Sequence, residues 1–157
     1  MANIIKEQQA ILEKLNIHQL NKMQEEAIPD IEKTKNTILL SPTGTGKTLA
    51  FLLPIIKSLD ISLEEIQALI LVPSRELAIQ IEQVVREMGS GFKVNAVYGG
   101  RPISKDKIEL KHKPAILIGT PGRIQDHFRS DRFSKDHIET IVLDEFDKSL
   151  ETGFEED

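Results

Sequence analysis

The 157-residue sequence contains no cysteine and no tryptophan, and it has only one tyrosine and six phenylalanines. Without cysteine there can be no disulfide framework and no thiolate metal site, which fits a reducing compartment. The scarcity of aromatic rings argues against an extended surface for stacking bases. Every apolar run is far shorter than a membrane-spanning helix requires, and the N-terminus has no secretory signal pattern. The sequence therefore predicts a cytoplasmic protein without a membrane contact.

An excess of positive charge is also missing, because the formal net charge is -5. A domain that bound nucleic acid through bulk electrostatics alone would be basic. Any contact with nucleic acid therefore has to be local, or shared with another domain. A hydrophobic fraction of 39% and a charged fraction of 29% are typical of one ordinary globular domain of this length.

Apolar and amphipathic segments alternate along most of the chain. Two predicted helices come first, at residues 4–15 and 23–31, and Pro29 should interrupt or kink the second. Strands are then predicted at 37–40, 68–72, 93–98, 115–119 and 140–144, and helices at 48–59, 75–88, 104–112 and 122–129. Most strands are almost wholly apolar, as burial on both faces of a parallel sheet demands. We therefore expect a three-layer α/β fold with a mostly parallel central sheet and ligands at the carboxyl ends of its strands.

One stretch joins a predicted strand to a predicted helix and has the composition of a phosphate-binding loop. Its sequence is Ser41-Pro42-Thr43-Gly44-Thr45-Gly46-Lys47-Thr48. Gly44 and Gly46 permit backbone conformations that point successive N–H groups into one concavity. Lys47 supplies a charge for the β- and γ-phosphates, and Thr48 supplies a hydroxyl for Mg²⁺. The strict pattern has glycine where Ser41 stands, and the alternative interpretation is a chance Gly/Thr-rich turn, which the flanking strand and helix disfavour.

The last predicted strand ends in two adjacent carboxylates, Asp144 and Glu145. A carboxylate at that place predicts a site that holds Mg²⁺ through water, beside the phosphate loop. Its neighbour Glu145 can orient and deprotonate an attacking water molecule. The alternative is an acidic helix N-terminus, where carboxylates complement the helix dipole. The phosphate loop in the same α/β chain favours the catalytic interpretation.

Three other predicted strands are each followed by a small or glycine-rich turn beside an arginine. These turns are Pro73-Ser74-Arg75, Gly99-Gly100-Arg101 and Thr120-Pro121-Gly122-Arg123. Exposed backbone N–H groups and a guanidinium suit phosphate oxygens. Three such turns along one sheet edge predict a track for a single-stranded sugar-phosphate backbone. Taken singly, each turn is better explained by ordinary turn chemistry and a surface arginine, and only the set of three favours the nucleic-acid-binding interpretation.

Together and in this order, these stretches resemble the motifs of the first RecA-like lobe of a DEAD-box ATP-dependent RNA helicase. Gln24 stands where that family has its adenine-reading glutamine, and Asp144-Glu145-Phe146-Asp147 stands where it has its acidic motif. The resemblance covers essentially the whole chain and implies a RecA-like P-loop NTPase domain over residues 1–157. A helical region at 1–33 would carry Gln24, and 34–157 would form the P-loop core.

The resemblance also implies roles for individual residues, with ATP or ADP and Mg²⁺ as cofactors. Lys47, Asp144 and Glu145 would be catalytic, Thr48 and Asp144 would hold Mg²⁺ partly through water, and Asp147 would couple the two lobes. The expected ATP-binding residues are Gln24, Ser41, Thr43, Gly44, Thr45, Gly46, Lys47 and Thr48. The expected RNA-binding residues are Pro73, Arg75, Gly99, Gly100, Thr120, Pro121, Gly122 and Arg123.

The chain departs from the family pattern in its acidic motif, its adenine site and its length. Phe146 replaces the usual alanine of the acidic motif, so a bulky ring must find room there. No aromatic residue precedes Phe51, so the ring that usually stacks on adenine has no counterpart upstream of Gln24. The last elements of the lobe, and the second RecA-like lobe with its arginine fingers, should follow the acidic motif. We therefore expect the chain alone to hydrolyse ATP very slowly, since such arginines contribute several powers of ten in rate.

The sequence leaves three functional hypotheses. The first is the ATP-binding lobe of an RNA helicase, which clamps a strand between two lobes and unwinds short duplexes without reading the base sequence. The second is a module that binds nucleotide and RNA backbone but has negligible ATPase activity in this form. The third is a P-loop ATPase that acts on DNA or protein, which equal stimulation by DNA and RNA would favour.

Overall fold

The computed structural model describes residues 4–151, with side chains to residue 148. The predicted domain limits at residues 1–3 and 152–157 lie outside the described residues. Every helix that the sequence predicts is present with somewhat shifted bounds, and a short helix follows the acidic motif. The elements in chain order are α1 (Gln8–Lys14), α2 (Lys22–Lys33), α3 (Lys47–Ser58), β1 (Ala68–Leu71), α4 (Arg75–Met88), β2 (Val94–Val97), α5 (Ile103–Glu109), β3 (Ile116–Gly119), α6 (Pro121–Arg129), β4 (Thr140–Leu143) and α7 (Phe146–Glu151).

The described chain forms two compact units. The first unit contains the chain up to Leu59 together with Glu87–Gly91. Its α2 and α3 pack against each other. Residues 49–56 of α3 are all buried, which is typical of a helix that is apolar on all sides. Among the described residues, no helix is both long enough and apolar enough to cross a membrane.

Two hydrogen bonds attach the start of the chain to the short returning segment of the first unit. Ile5 N donates to Ser90 O at 2.7 Å, and Lys14 Nζ donates to Gly89 O at 2.7 Å. Ser90 is buried, so its carbonyl needs such a partner.

Pro29 lies inside α2 without interrupting it, because the helix continues to Lys33. The predicted interruption is therefore wrong. A proline inside a helix removes one backbone hydrogen bond and costs about 3 kcal/mol. In α2 a capping box at Asn21 and Gln24 stabilises the start of the helix, and buried Ala27 and Ile28 anchor its apolar side. These local contacts offset the effect of the proline.

The second unit, Asp60–Arg86 and the chain from Phe92 onward, is built on a four-stranded parallel sheet. The strand order is β2-β3-β1-β4, and all three neighbouring pairs are parallel. Ala68 of β1 lies opposite Ile116 of β3 on one side and Thr140 of β4 on the other. Since the strands are parallel, the loops that leave their carboxyl ends all start from the same edge of the sheet. The predicted α/β class with a parallel sheet is confirmed.

The core of the second unit lies against the sheet and is almost wholly aliphatic. Phe133 and the partly buried Phe128 add two rings with centroids 4.8 Å apart. Fully burying one such side chain contributes about 1.5–3 kcal/mol, so this cluster is a main source of the unit's stability. Its buried members are Ile66, Leu69, Val97, Leu110, Leu117, Ile124 and Phe133.

Two predictions about strands are corrected by the structure. Residues 37–40 form no strand, and their side chains Ile38 and Leu40 are 79% and 83% exposed. A four-residue apolar run becomes a strand only when a neighbour pairs with its backbone, and these residues have no ladder partner in the described chain. β4 is not buried on both faces either, since Ile141 and Leu143 are more than half exposed. β4 lies at the edge of the described sheet, where burial alternates between its two faces.

Candidate functional site

The predicted phosphate loop folds back onto itself at the start of α3. Gly44 and Gly46 have φ angles of +83° and +87°, the left-handed conformations that glycine adopts without a steric penalty. Gly46 is the N-cap residue of α3, and Lys47 is its first residue. The Lys47 ammonium donates to the carbonyl oxygens of Ser41 and Pro42. The loop therefore wraps around the amine that the sequence predicts to bind phosphate.

Two hydroxyl groups make further hydrogen bonds within the same loop. Ser41 Oγ and Thr45 Oγ1 lie 2.6 Å apart, and Thr45 Oγ1 donates to Pro42 O at 2.8 Å. Ser41, which replaces the first glycine of the motif, therefore contributes a side-chain contact that glycine lacks. Thr43 and Gly44 at the tip of the loop are exposed, and Thr48 is half-buried in the first turn of α3.

Gln24, the predicted adenine-reading residue, contacts the phosphate loop directly. Its Nε2 donates to Gly46 O at 3.1 Å, and its Oε1 accepts from Asn21 N at 3.0 Å. Asn21 accepts from Gln24 N through Oδ1, which completes the capping box, and donates to Thr45 O at 2.9 Å through Nδ2. Both ends of the buried Gln24 amide are thus engaged within the first unit. Its role toward adenine remains a prediction.

The functional analysis of the sequence missed Asn21. The pattern Asn-x-x-Gln ahead of a helix is a capping-box signature and could have identified it. The close contact also restricts the loop glycine: a Cβ at Gly46 would lie 2.4 Å from Gln24 Nε2. A larger residue at position 46 would therefore displace the Gln24 amide and would also be strained, because the φ angle there is +87°.

The second unit brings the strand-end turns together in the order that its sheet dictates. The turn after β2 comes first along the edge, followed by those after β3, β1 and β4. Backbone hydrogen bonds extend the ladder by one residue at each of three junctions. Thr120 N donates to Val97 O, Val72 N to Gly119 O and Asp144 N to Leu71 O, at 3.3, 3.0 and 3.0 Å. The predicted RNA-binding residues and the acidic motif thus all lie at one edge.

Arg75 is the most accessible of the predicted RNA-binding arginines, with a side chain 55% exposed. It follows Pro73 and Ser74, whose Oγ accepts from Leu77 N at 3.2 Å and so caps α4. A Cβ at Gly100 would lie 3.6 Å from Arg75 Nη1, so the turn after β2 and the start of α4 approach each other. A backbone hydrogen bond in the first turn of α4 and the pairing with Arg75 lower the pKa of Glu76.

Arg123 is placed differently, with its side chain only 10% exposed. Its Nη2 donates to Arg101 O at 2.8 Å, and its Nη1 lies 3.4 Å from Asp106 Oδ2. Thr120, Pro121 and Gly122 form the start of α6, with Thr120 as its N-cap residue. Arg123 therefore joins the start of α6 to the turn after β2 through its hydrogen bond to Arg101.

Two fully buried residues of the second unit, Asp106 and His127, were not identified from the sequence. His127 Nε2 lies 2.8 Å from Asp106 Oδ2. Burial lowers the pKa of His127, against the opposing effect of the Asp106 carboxylate. Burial also disfavours the charge of Arg101, but the hydrogen bonds that it donates to Glu109 and Asp106 outweigh this effect and raise the pKa of Arg101. The sequence carried no signal for these pairings, because Asp106 and His127 are 21 residues apart and none of the pairs has a motif spacing.

The second residue of the acidic motif has a strained backbone. Glu145 has a φ angle of +52°, a left-handed conformation that costs a non-glycine residue roughly 1–3 kcal/mol and is found mainly at functional sites. Its carboxylate pairs with Lys148 Nζ at 2.9 Å. Phe146, which begins α7, is 43% exposed, so its ring needs no cavity in the core. Asp147 follows in the first turn of α7.

The oxygen atoms of Thr48 and Asp144 belong to the donor class that Mg²⁺ prefers. Among the described residues, no group of three or more His, Asp or Glu side chains could hold a metal ion by itself. Mg²⁺ commonly uses one or two protein oxygens together with water and substrate phosphates, and Thr48 of the first unit and Asp144 of the second each offer one oxygen of this kind.

Curated proteins similar to this chain are bacterial RNA helicases. The chain is 46% identical over 137 residues to "ATP-dependent RNA helicase CshA" of Limosilactobacillus reuteri, which covers 86% of the chain and 28% of that protein. It is 37% identical over 148 residues to "DEAD-box ATP-dependent RNA helicase CshA" of Geobacillus kaustophilus, covering 93% of the chain and 32% of that protein. The chain therefore spans about a third or less of the length of these relatives.

Two solved structures of RNA helicase family proteins have the same fold as this chain. A hypothetical ATP-dependent RNA helicase from Sulfolobus tokodaii superposes with a TM-score of 0.81 at 28% identity, over 94% of this chain and 44% of the other. The yeast DEAD-box splicing factor Prp28 superposes with a TM-score of 0.84 at 30% identity, over 94% and 37%. The RecA-like class is confirmed by these likenesses. Residues 21–157 also match the family described as DEAD/DEAH box helicase, and the chain belongs to that family.

Proposed function

We propose that this chain is the ATP-binding lobe of an ATP-dependent RNA helicase. The single observation that carries the proposal is the carboxyl edge of the parallel sheet, where three phosphate-suited turns and the acidic motif leave neighbouring strands. The same chain contains a phosphate loop with two left-handed glycines. Membership of the DEAD/DEAH box family supports both parts of the proposal.

The nucleotide is proposed to bind at the phosphate loop. Lys47 would exchange its contacts with the carbonyls of Ser41 and Pro42 for phosphate oxygens, which are stronger partners because they carry charge. Bound Mg²⁺ would supply charge neutralisation, with Thr48 and Asp144 as its protein ligands, the latter partly through water. Gln24 would recognise adenine, together with loop residues Ser41, Thr43, Gly44, Thr45 and Gly46.

Glu145 is proposed to orient the hydrolytic water and accept its proton. Its left-handed backbone fixes the direction in which the side chain leaves the chain, and strain of this kind is typical of catalytic positions. The carboxylate also pairs with Lys148 Nζ at 2.9 Å, which holds the side chain beside the start of α7.

RNA is proposed to bind along the edge formed by the turns after β2, β3 and β1. Arg75 provides an exposed guanidinium, and Gly100 provides a backbone that a phosphate can approach closely. The contacts would be to phosphates and sugars, so they would carry little base specificity. The proposed RNA-binding set is Pro73, Arg75, Gly99, Gly100, Thr120, Pro121, Gly122 and Arg123.

For the whole protein we propose ATP-dependent RNA helicase activity, in which ATP binding and hydrolysis drive clamping of one RNA strand and local unwinding of duplexes. The relatives are named as ATP-dependent RNA helicases and are about three times as long as this chain. A second RecA-like lobe would complete the site, with Asp147 contributing to the coupling between the lobes. The chain alone would then bind nucleotide and RNA backbone with negligible hydrolysis. A cytoplasmic location is part of the same proposal.

The test measures Mg-ADP binding and ATP hydrolysis by the chain, each with and without single-stranded RNA or DNA of matched sequence. Lys47→Ala should abolish nucleotide binding, whereas Lys35→Ala, an exposed lysine of the same unit, should not change it. We expect Mg-ADP binding, preferential binding of RNA and little turnover. The complete protein should hydrolyse ATP only when RNA is present. Equal stimulation of the complete protein by DNA would favour the alternative of a P-loop ATPase that acts on other substrates.

A further inference from the structure

The second unit contains a buried cluster of charged side chains that the proposed reaction does not use. Asp106 and His127 are fully buried, and the side chains of Arg101 and Arg123 are only 13% and 10% exposed. Burying an ionised group is unfavourable unless it is paired and hydrogen-bonded. A cluster of this size at the edge of the sheet therefore needs a structural or functional reason.

Asp106 is the centre of the cluster. Its Oδ1 accepts from Arg101 Nε at 2.5 Å, and its Oδ2 lies 2.8 Å from His127 Nε2 and 3.4 Å from Arg123 Nη1. Arg101 also pairs with Glu109 at 2.6 Å through Nη2. One carboxylate on α5 thus contacts side chains from the turn after β2 and from two turns of α6.

The cluster joins two turns that are proposed to bind RNA. Arg101 directly follows Gly100, and Arg123 lies in the first turn of α6 after Thr120. Arg123 Nη2 donates to the carbonyl oxygen of Arg101, so the arginine of one turn holds the backbone of the other. Arg101 also lies over the ring of Tyr98, with 5.2 Å between its guanidinium carbon and the ring centroid. The spacing of the two turns is therefore set by Arg101 and Arg123, which Asp106 holds.

His127 supports Asp106 from the opposite side. A carboxylate can only accept, so the Nε2 hydrogen is the donor and the ring presents an unprotonated Nδ1. In the part of the chain that the structure describes, His127 Nδ1 has no hydrogen-bond partner. Asp106, Arg123 and Arg132 are the charged groups that act on the ring, and burial together with the two arginines disfavours a second proton. His127 thus acts as a neutral donor.

We propose that Asp106, supported by His127, is a positioning residue for RNA binding. It fixes Arg101 and Arg123 so that the turn after β2 and the start of α6 present their backbone N–H groups to successive phosphates of one strand. Arg101 and Arg123 then hold the two turns in place through contacts inside the protein, and Arg75 is the arginine that contacts the RNA strand. This inference rests on the RNA-binding part of the proposed function.

The test is the salt dependence of RNA binding by the full chain, with a short oligouridylate as the probe. The observed affinity for a single strand falls with salt at a logarithmic slope of about 0.7 per neutralised phosphate. Asp106→Asn keeps the shape of the side chain but removes the charge that holds both arginines. We expect it to lose one or two phosphate contacts, which reduces the slope by about 0.7–1.4. Binding should weaken about tenfold or more, because hydrogen bonds to charged groups are the strong ones.

The matched control is Asp126→Asn, the same substitution at an exposed position of α6. It should keep the affinity and the slope of the unaltered chain. A purely structural role for Asp106 would lower the folded fraction without changing the slope of the protein that remains folded. Mg-ADP binding should stay unchanged in both variants, and circular dichroism reports whether the second unit is folded.

Arg101→Lys provides a second variant if Asp106→Asn does not fold. Lysine keeps the positive charge, but its single ammonium lacks the fork that contacts Asp106 and Glu109 together. A reduced slope in Arg101→Lys would support positioning, because the number of charges is the same. An unchanged slope in every variant that folds would overturn the inference while leaving RNA binding intact. Failure of the unaltered chain to bind RNA at any salt concentration would overturn the RNA-binding proposal and this inference together.

Discussion

Gly119, the last residue of β3, offers a direct test of how tightly the candidate RNA-binding edge is packed. A Cβ at this position would lie 2.7 Å from Ile124 Cδ1 and 2.9 Å from the carbonyl oxygen of Val97. Ile124 belongs to the buried core cluster, and Val97 is paired with Gly119 in the sheet. Neither neighbour has free space to move into. Gly119→Ala should therefore strain the junction between β3 and α6.

The expected loss of stability follows from two opposing terms. Overpacking a well-packed site typically costs about 1–3 kcal/mol. The backbone of Gly119 lies outside the left-handed region, so alanine can adopt the same conformation. Alanine also restricts the unfolded chain more than glycine does, and this effect stabilises the folded state by about 0.4–1 kcal/mol. The free energy of unfolding should therefore fall by about 1–2 kcal/mol, which corresponds to a drop in Tm of roughly 2–8 °C for a chain of this size.

Urea unfolding followed by circular dichroism measures this change. The matched control is Gly99→Ala at the end of the neighbouring strand, where a Cβ would meet nothing within 4 Å. Its free energy of unfolding should be unchanged or slightly higher. If Gly119→Ala were as stable as Gly99→Ala, the close approach of α6 to the end of β3 would be refuted.

Four further predictions concern the site and the sheet edge. Gln24→Ala should weaken binding of adenine nucleotides more than that of guanine nucleotides in a competition assay; equal weakening would contradict base recognition. In the complete protein, Glu145→Gln should abolish RNA-dependent turnover while Mg-ATP remains bound, and retained turnover would exclude Glu145 as the general base. Burial lowers the pKa of His127 below 6.5, so the unfolded chain binds the proton first. The free energy of unfolding should therefore fall as the pH drops below about 6.5. His127→Gln should reduce this fall, whereas His137→Gln, at an exposed position, should leave it unchanged. Urea unfolding at about pH 7 and about pH 5.5 measures the difference. Ile141→Lys should reduce self-association of the chain, because Ile141 is exposed on the edge strand β4 and charge on an edge strand opposes pairing between chains. Sedimentation at high protein concentration measures this association. Unchanged sedimentation would argue that this edge does not associate.

The sequence by itself determined the elements that depend on local patterns. Continuous apolar runs predicted the four strands of the parallel sheet, and in β1, β2 and β3 the cause is burial on both faces, which demands apolar residues throughout. Glycines at 44 and 46 were expected in a phosphate loop, and both adopt left-handed conformations that other residues avoid. The strand-end position of the turns followed from chain order alone, since all parallel strands end at the same edge.

Only the tertiary structure decided which groups meet and which strands have neighbours. Residues 37–40 and β4 are equally apolar in sequence, yet within residues 4–151 the first segment forms no strand and β4 has one neighbouring strand. Asp106 and His127 are 21 residues apart and carry no motif, so their contact depends on how α5 and α6 pack. The contacts of the Gln24 amide with Gly46 and Asn21 were likewise not evident from its position in the motif. Hydrophobic periodicity records whether a residue is buried, but hydrogen bonds and ion pairs depend on distances that only the folded backbone sets.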